Sequence, residues 1–260
     1  MRTNGSVVDM KANPDLVSGL ANGLRALEAF TPAQQQMTVA DVAKRTGLTR
    51  AAARRYLHTL TAGGYTEFDG KRFALTSRVL RLGHAYISSV QLPQIAQPIV
   101  EELGHKTDES IAFSVLDGAE SLTIASSTPR RIVGIFTRVG THLPALSTAT
   151  GRVVLASRSD DEIESRLRSA GIKKLTPKTK TSRDEIWEEI HRIRKLGYAV
   201  NDEEIELGLR VIAVPVRRSG GGVIASICVS TYSGRYEVDQ LTKKFLRPLL
   251  DASERLSAFM

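Results

Sequence analysis

The chain has 260 residues, of which 42% are hydrophobic and 25% charged, enough to bury a substantial core in one large or two modest domains. The chain has 36 basic and 28 acidic side chains, a formal net charge of +8. Residues 1–90 contain 12 basic and 6 acidic side chains, and the remainder contains 24 basic and 22 acidic ones, so the positive charge lies mainly in the first third. This asymmetry indicates that the N-terminal part meets a polyanion, either nucleic acid or an anionic membrane surface. The single cysteine, Cys228, excludes an intrachain disulfide, and we find neither a secretory signal nor an apolar run of bilayer length, so we expect a soluble, cytoplasmic protein.

Helical periodicity begins after a polar segment. Residues 1–15 are expected to form a flexible tail, and from Leu16 apolar residues recur at helical spacing as far as Thr31. Thr38 and Thr49 are predicted to cap a second and a third helix. Between them, Gly47 supplies the left-handed residue that a tight turn requires. The third helix is expected to end at the two consecutive glycines of residues 63–64.

A hairpin is predicted after the third helix. Asp69-Gly70 is a strong turn signal between two short extended runs, residues 65–68 and 72–75. Three helices followed by a hairpin is the order of a winged helix-turn-helix, which we assign to residues 16–76. A linker helix is predicted over residues 77–92, and the composition changes at Pro93. We expect a separate effector-binding and oligomerisation domain over residues 93–260.

The second domain alternates strands and helices without an internal repeat. Strands are predicted at residues 111–116, 121–125, 132–136, 209–216 and 223–230. Two capping boxes, Ser159 with Glu162 and Ser182 with Glu185, are predicted to start helices, and a last helix is expected from about residue 238 to 259. Consecutive antiparallel strands flanked by helices favour an α+β, sensor-like domain over a doubly wound parallel sheet.

The third helix carries a cationic face. At 100° per residue, the sequence LTRAAARRYLHTL places three arginines and His58 on one side and bulky apolar residues on another. A solvated surface helix is the alternative, but such helices normally mix charge signs, and no acidic residue occurs between Asp41 and Glu67. The small Ala51 and Ala52 let the helix approach the major-groove floor, where arginine can bind guanine bidentately. We therefore predict that this helix reads DNA.

The predicted DNA contacts extend beyond this helix. Lys71 and Arg72, beside the hairpin turn, would place the wing over phosphates or the minor groove. Lys44 and Arg45 are candidate phosphate contacts. The full predicted set is Thr38, Lys44, Arg45, Thr49, Arg50, Ala51, Arg54, Arg55, His58, Lys71 and Arg72.

The chain resembles the IclR family of bacterial transcription regulators, over nearly all of residues 16–260. The resemblance rests in the first half on VADVAKRTGLTRAAARRYLHTLTAGGY and the linker helix after it. In the second half it rests on GTHLPALSTATGRVVLA and GYAVNDEEIELGLRVIAVPV. It is closest to the branch that regulates aromatic-acid breakdown, of the protocatechuate and 4-hydroxybenzoate type. Many relatives have a Ser-Thr pair where this chain has Ala51-Ala52, so their hydroxyl contacts to DNA cannot be transferred and the operator sequence stays open.

The resemblance implies an architecture and partners. It implies a GAF-like effector domain, a dimer made through the DNA-binding and linker region, and often a tetramer made by pairing dimers. The expected partners are a palindromic double-stranded DNA operator and a small organic acid, with RNA polymerase as a further contact. No membrane partner, cofactor or metal is expected.

A small polar strand face indicates an effector cavity. In residues 223–230, Ile224, Ser226, Cys228 and Ser230 share one face, of which the last three are small and polar, whereas Val223, Ala225, Ile227 and Val229 share the other. A buried core face is normally aliphatic, so the polar face indicates a cavity whose occupant accepts hydrogen bonds. In the strand before it, either alternate set of residues could form a pocket wall. The resemblance favours the set with Leu209 and Val211.

The candidate effector site combines this strand with the loop that begins the motif GTHLPALSTATGRVVLA. Backbone amides of residues 141–143 could hold a carboxylate. Arg138 is the nearest strong cation, and it would clamp a carboxylate if it turned inward, although an arginine beside a loop is exposed at least as often. The predicted set, placed by the resemblance except for Arg138, is Arg138, Gly140, Thr141, His142, Leu143, Asn201, Leu209, Val211, Cys228 and Ser230.

Other residues invite a chemical role for which the sequence gives little support. His142 beside Pro144 lacks a framing nucleophile or metal-ligand spacing and is expected to be structural. Cys228 is expected to be a pocket or core thiol rather than a nucleophile. The acidic run at residues 202–206 is expected to be solvated or arginine-paired rather than a cation site. The glycines at residues 220–222 lack the lysine of a phosphate loop and predict a hairpin turn.

The sequence therefore predicts a ligand-responsive transcription regulator that is not an enzyme. The regulated genes are expected to serve aromatic-acid breakdown, and the alternative within the family is another small organic acid pathway. One rival is an enzyme with a DNA-binding appendage, for which no set of nucleophile, base and orienting residue is visible. Another is a constitutive DNA-binding protein whose C-terminal domain only oligomerises.

Overall fold

The computed structural model describes residues 15–31, 33–83, 91–129 and 138–260. The chain divides into two compact units, Met1–Ser89 and Val90–Met260. The predicted tail lies outside the described residues except for Asp15, as do the predicted strand at residues 132–136 and residues 84–90 of the predicted linker helix. The described start of that linker is a single 3-10 turn, Ser77–Val79, followed by helical residues 80–83.

The first unit consists of three helices and a small antiparallel sheet. Its elements are α1 (Ser18–Glu28), β1 (Gln36–Met37), α2 (Val39–Thr46), α3 (Arg50–Ala62), β2 (Thr66–Phe68) and β3 (Phe73–Leu75). The strand order is β1-β3-β2. This confirms the predicted winged helix-turn-helix, and β1 is an addition that its two residues could not reveal in the sequence.

Short-range signals explain where α2 and α3 begin and end. The Thr38 hydroxyl accepts a hydrogen bond from the Asp41 amide, and the Asp41 carboxylate accepts one from the Thr38 amide, so both groups cap α2. Gly47, with φ of 72°, ends α2, and the Thr49 hydroxyl accepts from the Ala52 amide to start α3. These caps were predicted from sequence. The core that they frame is buried and apolar, and it includes Ala26, Val42, Ala53, Leu57 and Phe73.

The second unit is built on a six-stranded antiparallel sheet of order β6-β5-β4-β9-β8-β7. The strands are β4 (Ser110–Asp117), β5 (Glu120–Ser127), β6 (His142–Pro144), β7 (Ala199–Asp202), β8 (Leu209–Arg217) and β9 (Val223–Tyr232). The helices are α4 (Gln91–Thr107), α5 (Ala149–Leu155), α6 (Asp160–Ser169), α7 (Arg183–Leu196) and α8 (Val238–Ser257). No helix in the described part of the chain is long and apolar enough to cross a membrane.

Helices cover both faces of this sheet. Helices α4 and α8 pack on one face against aliphatic and aromatic residues such as Phe113, Ile227 and Val229. Helices α5, α6 and α7 form a second core on the other face, where the sheet contributes smaller residues such as Ala112 and Cys228. The sheet residues are therefore large on one face and small on the other, and the small face leaves room for a cavity. This α+β arrangement is the predicted fold class.

Two local predictions were wrong in detail. Ser182 and Glu185 form the predicted capping box, but Ser159 and Glu162 form only half of one, because the Glu162 carboxylate accepts hydrogen bonds from Arg166 one turn later. Val223 was grouped with the aliphatic face of its strand, yet it packs in the second core. Val216 pairs with Ala225 and Arg217 with Val223, so Ile224 is an inserted residue in β9 and reverses the side on which Val223 lies. Ile224, predicted on the polar face, packs against the first core for the same reason.

Candidate nucleic-acid interface and ligand cavity

Helix α3 has one buried side and one exposed cationic side. Ala53 and Leu57 are fully buried against the core of the first unit, as the spacing predicts. Arg50, Arg54 and Arg55 are exposed, and their guanidinium groups make no hydrogen bond or ion pair with any residue that the structure describes. Such unpaired cations on one face of a helix can contact an external polyanion without first losing an internal partner.

The neighbouring predicted contacts differ in how free they are. The Thr38 hydroxyl is engaged with Asp41, to which it also donates a hydrogen bond at 2.7 Å, and Thr49 caps α3. The Arg45 guanidinium donates to the Gln34 side chain at 2.9 Å, whereas Lys44 is exposed. The two threonines therefore cap their helices, while the side chains of Lys44 and Arg45 are exposed.

The wing presents its cations through a tightly bonded turn. The Asp69 carboxylate accepts hydrogen bonds from the backbone amides of Arg72 at 2.6 Å and Lys71 at 2.8 Å, which lower the pKa of Asp69. The carboxylate therefore stays ionised and fixes the turn, while the side chains of Lys71 and Arg72 remain exposed.

His58 makes a contact that the sequence did not indicate. Its ring lies edge-on to Phe68 and Phe73, with ring centroids 5.5 and 5.4 Å apart, and these two phenylalanines stack on each other at 4.4 Å. His58 therefore joins α3 to the two strands of the wing. An isolated histidine on a cationic helix face gives no sequence signal for such packing.

A cavity of about 50 Å³ lies on the small-residue face of the second sheet. This is several times the roughly 10–15 Å³ that one water molecule needs. Strands β4, β5, β8 and β9 form the floor, and α5, the end of β7 and the loop after it close the sides. The lining residues are Ala112, Ser114, Ser121, Thr123, Leu143, Thr148, Ala149, Thr150, Asn201, Ile205, Leu209, Val211, Cys228 and Ser230.

The structure brings together six of the ten predicted effector residues. Leu143, Asn201, Leu209, Val211, Cys228 and Ser230 all line this cavity. Arg138, Gly140, Thr141 and His142 do not line it. Arg138 is exposed, and its backbone amide donates to the Thr141 hydroxyl, while the His142 ring lies 3.2 Å from the Glu120 carboxylate. The loop that was expected to hold a carboxylate is instead hydrogen-bonded to β5: the Gly140 amide donates to the Thr123 carbonyl, and the Thr123 amide donates to the Thr141 carbonyl.

Sequence reasoning missed the hydroxyl groups that β5 and α5 contribute. The Ser121 hydroxyl donates to the Thr150 hydroxyl at 2.9 Å, and the hydroxyls of Ser114 and Thr123 lie 3.3 Å apart. The alternation of Ser121 and Thr123 in β5 is the same small-polar pattern that singled out Cys228 and Ser230 in β9. It would have indicated this second polar wall.

The cavity is lined by neutral polar and apolar groups. Burial raises the pKa of the Cys228 thiol to about 11, although the Ser230 hydroxyl 4.0 Å away and the Ala112 backbone oppose this. The thiol is therefore protonated near neutral pH. Asn201 is fixed on both sides, because its amide nitrogen donates to the Ser147 carbonyl at 2.7 Å and its oxygen accepts from the Glu204 amide at 3.2 Å. No lysine or arginine in the described part of the chain lines the cavity.

The acidic run after β7 is paired with cations, as expected. The Asp202 carboxylate bonds Arg210 at 2.5 Å and Lys178 at 3.1 Å, and that of Glu204 bonds Arg152 at 2.6 Å. Burial alone would raise the pKa of Glu204, but the hydrogen bonds and charge of Arg152 hold it below the usual range. Among the described residues there is no cluster of potential metal ligands.

The first unit is a winged helix-turn-helix whose third helix presents arginines without a partner among the described residues, and the second is a sheet domain with a small cavity lined by apolar and hydroxyl-bearing residues. Together they define the class of ligand-binding transcription regulators. Comparison with known proteins specifies the class. A family model described as the IclR helix-turn-helix domain matches residues 19–70, and one described as the bacterial transcriptional regulator IclR C-terminal domain matches residues 84–258. The chain belongs to the IclR family of bacterial transcriptional regulators.

Similar proteins include regulators of aromatic-acid pathways. The Pca regulon regulatory protein of Pseudomonas putida is 38% identical over 94% of this chain and 84% of its own. The p-hydroxybenzoate hydroxylase transcriptional activator of Acinetobacter baylyi is 39% identical over 91% of this chain and 89% of its own. A solved double mutant of the PobR inducer-binding domain from Acinetobacter, in complex with 3-hydroxybenzoic acid, is 30% identical, with a TM-score of 0.62 over 66% of this chain and 100% of its own.

Proposed function

We propose that this regulator controls genes of aromatic-acid breakdown and that an aromatic carboxylate, of the 4-hydroxybenzoate or protocatechuate type, is its effector. The first unit would read a palindromic operator as a dimer, or as a tetramer of paired dimers. Binding of the acid in the cavity would favour one of two arrangements of the second unit, with different contacts to DNA or polymerase. Such a shift requires that the acid bind the two arrangements with different affinity.

The character of the cavity is the observation that carries this proposal. Hydroxyls of Ser121, Thr150 and Ser230 can donate hydrogen bonds to a carboxylate or accept them from a phenol. Apolar side chains such as Leu209 and Val211 offer contact to a ring. A cavity of about 50 Å³, with no cation among the described residues that line it, suits a small acid held by hydrogen bonds rather than by an ion pair.

The relatives support the choice of acid. Two proteins with nearly 40% identity along most of this chain are named for the Pca regulon and for p-hydroxybenzoate hydroxylase, and the PobR inducer-binding domain is solved with 3-hydroxybenzoic acid. The predicted residues Leu143, Asn201, Leu209, Val211, Cys228 and Ser230 would contact the acid, together with the hydroxyls of β5 and α5. We assign no contact to Arg138.

Filling the cavity tests this assignment. Ser230 is buried in the floor of the cavity, and Ser230→Leu adds three carbon atoms to a space of about 50 Å³. Calorimetric titration of the full-length protein with 4-hydroxybenzoate and protocatechuate should show binding to the wild type and none to the variant. Operator binding should be unchanged, because Ser230 lies in the second unit.

Ser219→Leu, in the exposed turn between β8 and β9, is the matched control and should titrate like the wild type. Identical titrations for Ser230→Leu and the wild type would place the acid elsewhere. Melting-point measurements on the wild type extend the test, since saturation at 100 times the dissociation constant stabilises a protein by about 2.7 kcal/mol. A melting point raised only by non-aromatic acids would favour another pathway, and one raised by no acid would favour a constitutive DNA-binding protein.

A further inference from the structure

A buried ion pair lies directly behind the cavity wall. Arg152 and Glu204 expose only 1% and 2% of their side chains, and the two Nη atoms of Arg152 donate to the two carboxylate oxygens of Glu204 at 2.6 and 2.8 Å. Neither side chain lines the cavity. Their neighbours in sequence do, since Thr150 lies two residues before Arg152, and Asn201 and Ile205 flank Glu204.

Arg152 fixes the wall of the cavity that residues 148–150 form. Its Nε donates to the Leu146 carbonyl at 2.6 Å, within the 3-10 turn Ala145–Ser147. That turn leads directly into wall residues Thr148 and Thr150, and the Ser147 carbonyl accepts the Asn201 amide. The guanidinium therefore holds the segment that carries the α5 hydroxyls.

Glu204 fixes the opposite wall. Its backbone amide donates to the Asn201 oxygen, and its carboxylate accepts from both the backbone and the side-chain nitrogen of Lys180, each at 3.0 Å. The Thr179 hydroxyl donates to the Glu204 carbonyl at 2.6 Å. Glu203 has a φ of 59°, a left-handed conformation that costs energy for a residue other than glycine. This turn directs Glu204 inward to Arg152 while Asp202 pairs with Arg210.

Stability alone does not account for this arrangement. A buried ion pair pays a large desolvation cost, and apolar replacements of similar volume are often as stable. Here the hydrogen bonds of the pair connect the cavity-lining segments through Leu146 and connect Glu204 to Lys180. Two wall segments 52 residues apart in sequence are thus joined at one buried point.

We propose that Arg152 and Glu204 are positioning residues for effector binding: they hold the 145–150 and 201–205 segments at the spacing that lets Thr148, Thr150 and Asn201 contact one ligand. This rests on the proposed function for the identity of the ligand. Walls fixed before binding reduce the ordering cost that the ligand must overcome, so loss of the pair should weaken acid binding without touching the DNA-binding unit.

The test replaces both charges at once. The double variant Arg152→Met/Glu204→Leu removes both buried charges at once. The Lys180 ammonium loses its carboxylate partner, but its side chain is 35% exposed and can be solvated, so the fold is expected to persist. The matched control is Arg255→Met/Glu102→Leu, because that pair is also bidentate, with both distances 2.8 Å, but is exposed and joins α4 to α8 on the other face of the sheet. The milder variant Lys180→Met keeps the buried pair and removes one of its anchors.

Hydrogen exchange of the full-length protein, measured without any acid, reports on the walls directly. Peptides covering residues 143–150 and 200–209 should exchange faster in the double variant than in the wild type, while its α4 peptide should exchange at the wild-type rate. In the control variant, the peptides covering residues 143–150 and 200–209 should exchange as in the wild type. The dissociation constant for 4-hydroxybenzoate should rise by roughly tenfold, the lower end of the range seen when groups that orient the side chains of a metal site are removed. Affinity for operator DNA should be unchanged.

Wild-type exchange in both wall peptides of the folded double variant would overturn the proposal, as would faster exchange accompanied by unchanged acid affinity. If the double variant does not fold, Lys180→Met decides by the same two measurements, with a smaller increase expected in each. A wild-type protein that binds none of the aromatic acids would refute the proposed effector class, and the exchange comparison would then decide the positioning role by itself.

Discussion

Burial separates the roles of arginine residues in the two units. Arg54 of α3 is exposed and makes no bond to the described part of the chain, whereas Arg152 is buried and bonded through Nε and both Nη atoms. The first has its full hydrogen-bonding capacity available for DNA. The second uses three of its five N–H donors on Leu146 and Glu204, and its side chain does not line the cavity. Sequence alone does not distinguish them, because both lie among small and aliphatic residues.

Removal of the Arg54 guanidinium should weaken operator binding. Arg54→Ala is expected to cost about 1–3 kcal/mol, the energy of a lost base or phosphate contact, with the fold intact. Fluorescence anisotropy with an operator selected from random duplexes, at one fixed salt concentration, measures this. Arg247→Ala removes the same charge from exposed α8 and should bind DNA like the wild type. Unchanged affinity for Arg54→Ala would remove this residue from the reading face.

Cys228 should be unreactive in the folded protein. Burial raises its pKa from 9.0 to about 11, so near pH 8 the thiolate fraction is about a hundredfold lower than in the unfolded chain. Alkylation by iodoacetamide should therefore be at least about a hundredfold slower in the native protein than in guanidinium, and it should accelerate as the pH rises toward 11. Similar rates in both states would contradict a buried, protonated thiol.

At the level of elements, the sequence predicted what neighbouring residues determine. The caps at Thr38, Thr49 and Ser182 and the turn at Gly47 depend on residues within four positions, and all four were predicted. The strand order depends on pairing between distant segments, which periodicity does not encode. The polar face of β5 was visible in the alternation of Ser121 and Thr123, but its position beside β4 depends on that pairing. For the same reason, the contribution of Thr150 to the cavity and the contact of His58 with the wing were missed.

Two glycines of the first unit should respond to alanine with opposite signs. Gly47 has a φ of 72° and open space around it, so Gly47→Ala should destabilise by about 1–2 kcal/mol through backbone strain alone. Gly23 lies inside α1 with an ordinary φ, and a Cβ there would meet only the Tyr56 ring at 4.0 Å, so Gly23→Ala should stabilise by about 0.5–1 kcal/mol. Urea unfolding measures both changes. Equal effects at the two positions would contradict the assigned helix end.

Over the whole molecule, the two units differ in their balance of charge. The excess of 12 basic over 6 acidic side chains in residues 1–90 includes the unpaired arginines of α3 and the exposed cations of the wing. In the second unit, nearly balanced in charge, cations such as Arg152, Arg210 and Arg255 are paired with carboxylates. This distribution fits DNA binding by the first unit and the proposed acid binding by the second, and regulation would require that the two be coupled.

The most direct test of that coupling is transcription in a purified system from a promoter that contains the selected operator. With the wild-type protein bound, transcript yield should change as 4-hydroxybenzoate or protocatechuate is added. With Ser230→Leu bound to the same operator, yield should not depend on the acid. A constant yield with the wild type across the full range of both acids, while the protein occupies the operator, would contradict the proposed coupling of acid binding to transcription.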